Sequence, residues 1–226
     1  MNLKKSDEIK TMFDEIAPKY DFMNDIISFK MHKFIKKIAV NKLKFPYNAN
    51  VLDLCTGTGD IAKILSTKKR IENIYAVDFS EKMLEIAKNK NSNPKIKYVK
   101  SDCTNLFFED NYFDIITMFF GLRNIEDKES AIKEIYRVLK PGGQFLHLDF
   151  KKGNNFLDSA FDSFTPIAGK IFAQNAEAYE YLVKSKQEFL SPKELEKIVQ
   201  NSNFNQIASY NFLFSTINAQ IFVKIN

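Results

Sequence analysis

Gly57 and Gly59 stand in Cys55-Thr56-Gly57-Thr58-Gly59, between a short apolar run at 51–54 and a helical pattern that begins at Asp60. Glycines at such a turn let the backbone approach a ligand with no Cβ between them, and the start of a helix offers free N–H groups. Alone the signal is weak, because Gly57-Thr58-Gly59-Asp60-Ile61-Ala62 also satisfies the dinucleotide pattern G-x-G-x-x-G/A. Asp78 closes the next apolar run, about 20 residues further on, where a carboxylate can accept from both hydroxyls of a ribose. That position suits NAD and S-adenosylmethionine equally. Asp53 separates them: it lies inside the first run, between Leu52 and Leu54, where dinucleotide-binding strands keep apolar residues. A carboxylate there can hold the loop amides and offset a cationic group such as a methionine ammonium. Asp102, beside Cys103 after a third run, can accept from an adenine amino group. Each acid could singly be a loop residue. Together, Asp53, Gly57, Thr58, Gly59, Asp78, Asp102 and Cys103 form the expected cofactor set, with S-adenosylmethionine as the expected cofactor.

Such residues need a scaffold that brings strand ends to one edge. From Asn50 onward, short apolar runs alternate with segments of helical period, the pattern of a parallel sheet built from βαβ units. Strands are expected at 51–54, 74–77, 96–99, 113–120 and 144–150. The fourth, apolar almost throughout, is expected at the centre with both faces covered. A helix is expected over 127–139, stopped by Pro141-Gly142-Gly143. Residues 155–189 read as a helical insert interrupted at Pro166 and Gly169, serving as a lid or substrate wall. Ser191-Pro192-Lys193-Glu194 is a capping box with proline at the first helical position, and a strand, a turn near Ser215 and another strand follow. The expected fold is α/β: a Rossmann-like, seven-stranded, mostly parallel sheet with helices on both faces. One domain is expected over 1–226, with a helical N-terminal extension (1–45), a cofactor-binding core (46–152), a helical insert (153–190) and a closing helix and hairpin (191–226).

Three segments resemble the menaquinone and ubiquinone biosynthesis C-methyltransferases. They are Ala17-Pro18-Lys19-Tyr20-Asp21-Phe22-Met23-Asn24 with Ser28 and His32; Phe120-Gly121-Leu122-Arg123-Asn124; and Tyr136-Arg137-Val138-Leu139-Lys140-Pro141-Gly142-Gly143. The similarity runs over residues 13–181 in family order. The chain departs from the family at Phe34, where the first signature ends in Trp, and at Asp149 and Lys151, where the third closes with Glu and Ser. It also departs at Phe119, a Ser or Gly position, and it lacks the Gly-Gly before the last strand. The resemblance implies methylation of a ring carbon of a polyprenyl hydroquinone. Such a carbon is a poor nucleophile until the neighbouring hydroxyl is deprotonated, so a base and an oxyanion stabiliser are required. Arg123, always charged and fork-shaped, is the candidate stabiliser, and Asn124 the candidate for orienting the ring; a surface ion pair is the alternative role for Arg123. His32 and Asp149 are the candidate bases, directly or through a water. Tyr20, Tyr179 and Tyr181 are candidates for lining the ring site, and Phe156, Phe161, Phe164 and Phe172 for lining a prenyl path, with core packing as the alternative.

The bulk properties narrow the partners. With 226 residues, 45% hydrophobic and 27% charged, the chain has the composition of a globular protein. The net charge of +5 is Lys-dominated and scattered among 28 acids, so a solvated surface is expected and nucleic acid is not. One denser cluster, Lys30, Lys33, Lys36, Lys37, Lys42 and Lys44, shares a helical segment with Phe29, Met31, Phe34, Ile35 and Ile38. It suggests peripheral contact with anionic lipid headgroups. Residues 1–10 alternate charge too densely for a signal peptide, and no run is long and apolar enough to span a bilayer; the expected location is the cytoplasm, at the inner membrane face. The two cysteines have no C-x-x-C partner, so no disulfide or metal is expected, and self-association stays open. Three alternatives remain at this point: methylation of another small molecule, phenolic or sterol-like; an NAD-dependent oxidoreductase; and a degenerate cofactor-binding scaffold.

Overall fold

The computed structural model describes residues 6–151, 156–173 and 175–225. Residues 1–5 of the expected extension, the start of the expected insert at 153–155 and the side chain of Phe156 lie outside that description.

The strands are β1 (Ala49–Leu54), β2 (Ile71–Asp78), β3 (Ile96–Lys100), β4 (Phe113–Phe119), β5 (Leu139–Phe150), β6 (Phe204–Phe212) and β7 (Ile217–Lys224). They form one sheet in the order β3-β2-β1-β4-β5-β7-β6. Pairs among the first five are parallel, and β7 runs antiparallel to both β5 and β6. β4 is central, as its unbroken apolarity demanded. The helices are α1 (Ser6–Ile16), α2 (Tyr20–Ile27), α3 (Met31–Val40), α4 (Asp60–Ser66), α5 (Glu81–Lys90), α6 (Lys128–Val138), α7 (Phe156–Ala168), α8 (Ala176–Glu188) and α9 (Pro192–Gln200).

Side chains alternate across a strand, so neighbouring residues of β1 feed opposite layers. Val51 packs with Ile35 and Ala39 of α3 and with Ile61 and Leu65 of α4. Leu52 and Leu54 pack with Ile132 and Ile135 of α6 and with Leu195 and Val199 of α9. A third cluster joins α1, α2 and α8 through Met12, Ile16, Met23, Ala178 and Tyr179, and it reaches the main body at Met83 of α5.

Several expectations change in detail. The helix expected to hold all six lysines of the basic cluster ends at Val40, leaving Lys42 and Lys44 beyond it. Phe29 and Lys30 take left-handed torsions that turn α2 into α3. Lys36 does not face solvent; it is buried and paired with Asp60 at 2.9 Å. Proline does not end α7, which continues through Pro166 to Ala168 and then loosens into a π turn, Gly169–Ala173. The capping box is present: Ser191 Oγ accepts from Glu194 N–H, and the Glu194 carboxylate accepts from Ser191 N–H.

Candidate functional site

The turn after β1 depends on glycine torsions. Gly57 and Gly59 have φ of +56° and +81°, in the left-handed region that side chains resist. A Cβ on Gly59 would come within 3.0 Å of Ala87 Cβ, so the close seating of α4 against α5 requires glycine there. At Gly57 the nearest contact of an added Cβ would be Tyr20 Cε1, at 4.0 Å, which leaves open space beside its backbone.

Two cavities meet above the strand ends. The smaller, about 280 Å³, is lined by Gly57, Asp78, Asp102, Cys103, Phe119 and residues of the turns around them. The larger, about 470 Å³, is lined by His32, Arg123, Tyr179, Tyr181, Phe161, Phe164 and further apolar side chains. Phe13, Tyr20, Phe120 and Asn124 line both, so they form a common wall.

Asp78, at the end of β2, is buried in the floor of the smaller cavity. Its Oδ2 accepts from Gly57 N–H at 2.8 Å and its Oδ1 from Ser80 N–H at 2.9 Å. Burial pushes its carboxyl up to about 6, against the pull of those amide hydrogen bonds. Asp102 Oδ1 accepts from the backbone and hydroxyl of Thr104, both at 2.8 Å. Cys103 and Cys55 are free thiols; the hydrogen bond between them, followed by burial, pushes the Cys55 thiol well above its ordinary value.

Asp53, expected to hold the loop amides, does not. The β1–β4 register sets it opposite Thr117, which donates to Oδ1 at 2.7 Å, and Thr56 Oγ1 donates to Oδ2 at 2.5 Å. The carboxylate therefore braces the turn from behind, is 1% exposed, and is not among the lining residues of either cavity. Burial pushes it up to about 7, although both hydroxyls favour the ionised form. Thr58 and Gly59 also line neither cavity. Thr58 Oγ1 donates to Asp21 Oδ1 at 2.5 Å and accepts from Lys90 at 3.1 Å. Lys90 also meets Asp21 at 2.6 Å and Asp60 at 3.0 Å, a clasp that ties α2 to the glycine turn and α5.

In the larger cavity, Arg123 is 5% exposed. Its Nη1 donates to Phe120 O at 2.7 Å and to Asp149 Oδ1 at 2.6 Å. Asp149, 1% exposed, lines neither cavity and lies behind the guanidinium. Asn124 Nδ2 donates to Phe120 O at 3.3 Å, while its Oδ1 is buried with no partner among the described residues. His32 Nε2 lies 3.1 Å from Asp25 Oδ1. Burial, then the nearby Lys36, lowers the imidazole to about 4, so it is neutral at neutral pH. Asp25 was not singled out from the sequence; its meeting with His32 depends on the turn at Phe29 and Lys30, which no periodicity announces.

The family model described as the ubiE/COQ5 methyltransferase family matches residues 1–224. The chain belongs to that family. It is 37% identical to the ubiquinone/menaquinone biosynthesis C-methyltransferase UbiE of Francisella tularensis subsp. novicida, over 92% of this chain and 87% of the relative. It is also 37% identical to the demethylmenaquinone methyltransferase of Staphylococcus epidermidis, over 93% of this chain and 90% of that one. Among solved structures, a SAM-dependent methyltransferase from Thermotoga maritima shares the fold, with a TM-score of 0.70 at 20% identity, over 96% of this chain and 99% of that one. Family membership makes the chain a methyltransferase and sets aside the oxidoreductase alternative. The departure at Phe119 falls on the wall of the smaller cavity, whereas Phe34 is an exposed surface residue.

Proposed function

We propose that the chain moves the methyl group of S-adenosylmethionine onto a ring carbon of a polyprenyl hydroquinone, of the demethylmenaquinol or ubiquinone-precursor class. The observation that carries this reading is the common wall: a donor in the smaller cavity and a ring in the larger one meet across Phe13, Tyr20, Phe120 and Asn124. The names of the relatives point to the same ring chemistry.

S-adenosylmethionine suits the smaller cavity by donor and acceptor type. Gly57 leaves the backbone bare, Asp78 offers a buried carboxylate to paired hydroxyls, and Asp102, beside Cys103, offers an acceptor for an amino group. Asp53, Thr58 and Gly59 hold the turn in shape from behind. When bound, the cofactor supplies an electrophilic methyl on a positively charged sulfur.

The larger cavity has to remove a proton from a ring hydroxyl and steady the oxyanion that results. Arg123 steadies it, and Asp149 serves as a positioning residue whose ion pair fixes the guanidinium. Asn124, on the common wall, orients the ring. His32 is the base. Its imidazole is neutral and ready to accept, Asp25 stands by to stabilise the imidazolium, and a water extends its reach.

The mouth of the larger cavity supports a membrane role. Phe29 (80% exposed) and Phe214 (81% exposed) line it, together with the exposed Met31 and Phe164. Lys30, Lys33 and Lys37 are exposed on the same stretch as Phe29 and Met31. A large apolar patch rimmed by lysines fits an anionic lipid surface from which a prenyl chain enters. No helix among the described residues is long and apolar enough to cross a membrane.

The deciding experiment is an acceptor assay with purified protein, S-adenosylmethionine and reduced demethylmenaquinol. Methyl transfer is expected, and Arg123→Ala should lower kcat by about 10²- to 10³-fold with cofactor affinity unchanged. Transfer to a phenolic or sterol-like acceptor, with none to any quinol, would replace this reading.

A further inference from the structure

Side chains other than those of glycine and asparagine resist the left-handed region of the backbone, because Cβ crowds the following carbonyl. Among the described residues, those that adopt it nonetheless gather at the two cavities. Cys55 and Phe120 line them, and the others stand in two turns. Phe29 and Lys30, between α2 and α3, have φ of +48° and +63°; Leu213, Phe214 and Ser215, between β6 and β7, have +47°, +51° and +71°. Glycine would hold these torsions freely. The family carries Gly-Gly before its last strand, and this chain has Leu-Phe-Ser ahead of β7. Backbone hydrogen bonds close both turns, from Lys30 N–H to Asp25 O at 2.9 Å and from Thr216 N–H to Leu213 O at 3.0 Å.

The two strained turns, far apart in sequence, reach one cavity. Phe29, Leu213 and Phe214 all line the larger one. Leu213 also packs against the core cluster that contains Ile217, which anchors its turn. Phe29 stacks on Phe164 of α7, with centroids 6.5 Å apart and planes 14° from parallel, and Phe164 lines the same cavity. Phe29 and Phe214 are nonetheless largely exposed. In the empty protein each carries two penalties, backbone strain and an aromatic ring left in water. An occupant that covers the rings offsets the second. The cavity volume of about 470 Å³ lies in the range that holds a drug-sized ligand. A ring and the start of a chain therefore fill it, and the rest of a chain leaves past the mouth.

We infer that Phe29 and Phe214 are specificity residues that grip the prenyl chain of the acceptor where it leaves the cavity. The inference rests on the quinol reading above. The ring and its first isoprene unit are held inside the cavity; further units gain binding only by covering Phe29 and Phe214. The occupant is the acceptor's own chain rather than a lipid acyl chain. Both rings line the cavity that takes the acceptor's head, so a chain attached to that head reaches them at high effective concentration.

The test measures methyl transfer by the full chain to three quinols that share one ring and carry no chain, a single isoprene unit or about three units. The buffer is free of vesicles, with detergent below its micelle concentration. For wild-type protein, kcat/KM should rise about tenfold from the single unit to the longer chain. Phe29→Ala combined with Phe214→Ala should bring that ratio to about one. The ratio of the single unit to the bare ring should keep its wild-type value, and S-adenosylhomocysteine should bind as before. Ser215→Gly relieves strain and leaves both rings in place, so it should raise the melting temperature and keep the tenfold ratio. A wild-type ratio near one, or a double variant that keeps the tenfold ratio, would overturn the inference. So would a double variant that loses the ratio only when anionic vesicles are added, which would assign the rings to lipid, or a Ser215→Gly protein that melts below the wild type, which would remove the strain. In each of these cases transfer to the bare ring leaves the quinol reading intact. Wild-type protein that methylates none of the three would overturn both.

Discussion

At Asp78 a proton and a ribose would compete for the same two oxygens. Its carboxyl is pushed up to about 6 by burial. Donation by two ribose hydroxyls favours the ionised form, so cofactor binding lowers that value and expels a proton. The sign follows: affinity for S-adenosylmethionine rises as the pH climbs through about 6 and flattens above it. Calorimetry at about pH 5 and about pH 8 should show several-fold tighter binding at the higher pH, and Asp78→Ala should abolish both the difference and most of the affinity. Affinity that does not vary with pH would remove Asp78 from the ribose position. That Gly57, Asp78 and Asp102 line one cavity could be read from the sequence, because a residue just past a parallel strand lands at the same edge of the sheet whatever the packing. The role of Asp53 could not be read, since only the pairing of Asp53 with Thr117 reveals which groups its carboxylate meets. Arg123 and Asn124 were legible through family resemblance alone. The ion pair of Arg123 with Asp149 joins residues 26 apart in sequence, a contact no local pattern encodes.

Among the elements, strands were placed well and their ends poorly. β2 begins at Ile71, ahead of the apolar run, because Ile71 and the polar Asn73 pair with Ala49 and Asn50 of β1, with Glu72 bulged between them. β5 begins at Leu139, and a register shift against β4 absorbs Pro141, Gly142 and Gly143, which had suggested only a stop. The helical insert owes its shape to a charge that periodicity does not flag. Lys186, 1% exposed on α8, meets Asp162 at 2.8 Å and Asp158 at 3.1 Å on α7, and lies 5.0 Å above the Phe161 ring. Lys186→Ala would remove the cation that Asp158 and Asp162 share and so destabilise the pairing of α7 with α8. Because α7 and α8 both wall the larger cavity, the expected outcome is early protease cleavage between residues 156 and 188 and a lowered melting temperature. Wild-type resistance to cleavage would show that the apolar contacts of α7 and α8 suffice to hold the insert.

For the molecule as a whole, the membrane role proposed for the exposed rings at the cavity mouth carries its own prediction. Sedimentation with vesicles should show binding that grows with anionic lipid content and weakens with salt. Substituting Phe29 and Phe214 together by Ser should lower the bound fraction several-fold and leave the binding of S-adenosylmethionine as it was, because neither residue lines the smaller cavity. Binding indifferent to both changes would move the contact elsewhere. The sheet carries a further consequence in the placing of β7. It is made after every other strand, yet it fills an inner slot and is almost wholly buried; β6 joins the sheet only through it. While the chain is still being synthesised, the edge of β5 therefore stands open, with Phe145, Leu146 and Leu148 beside unpaired amides. Until residues 217–224 emerge, β5 lacks the strand that covers this edge, and an open edge of this kind is a template for strand addition.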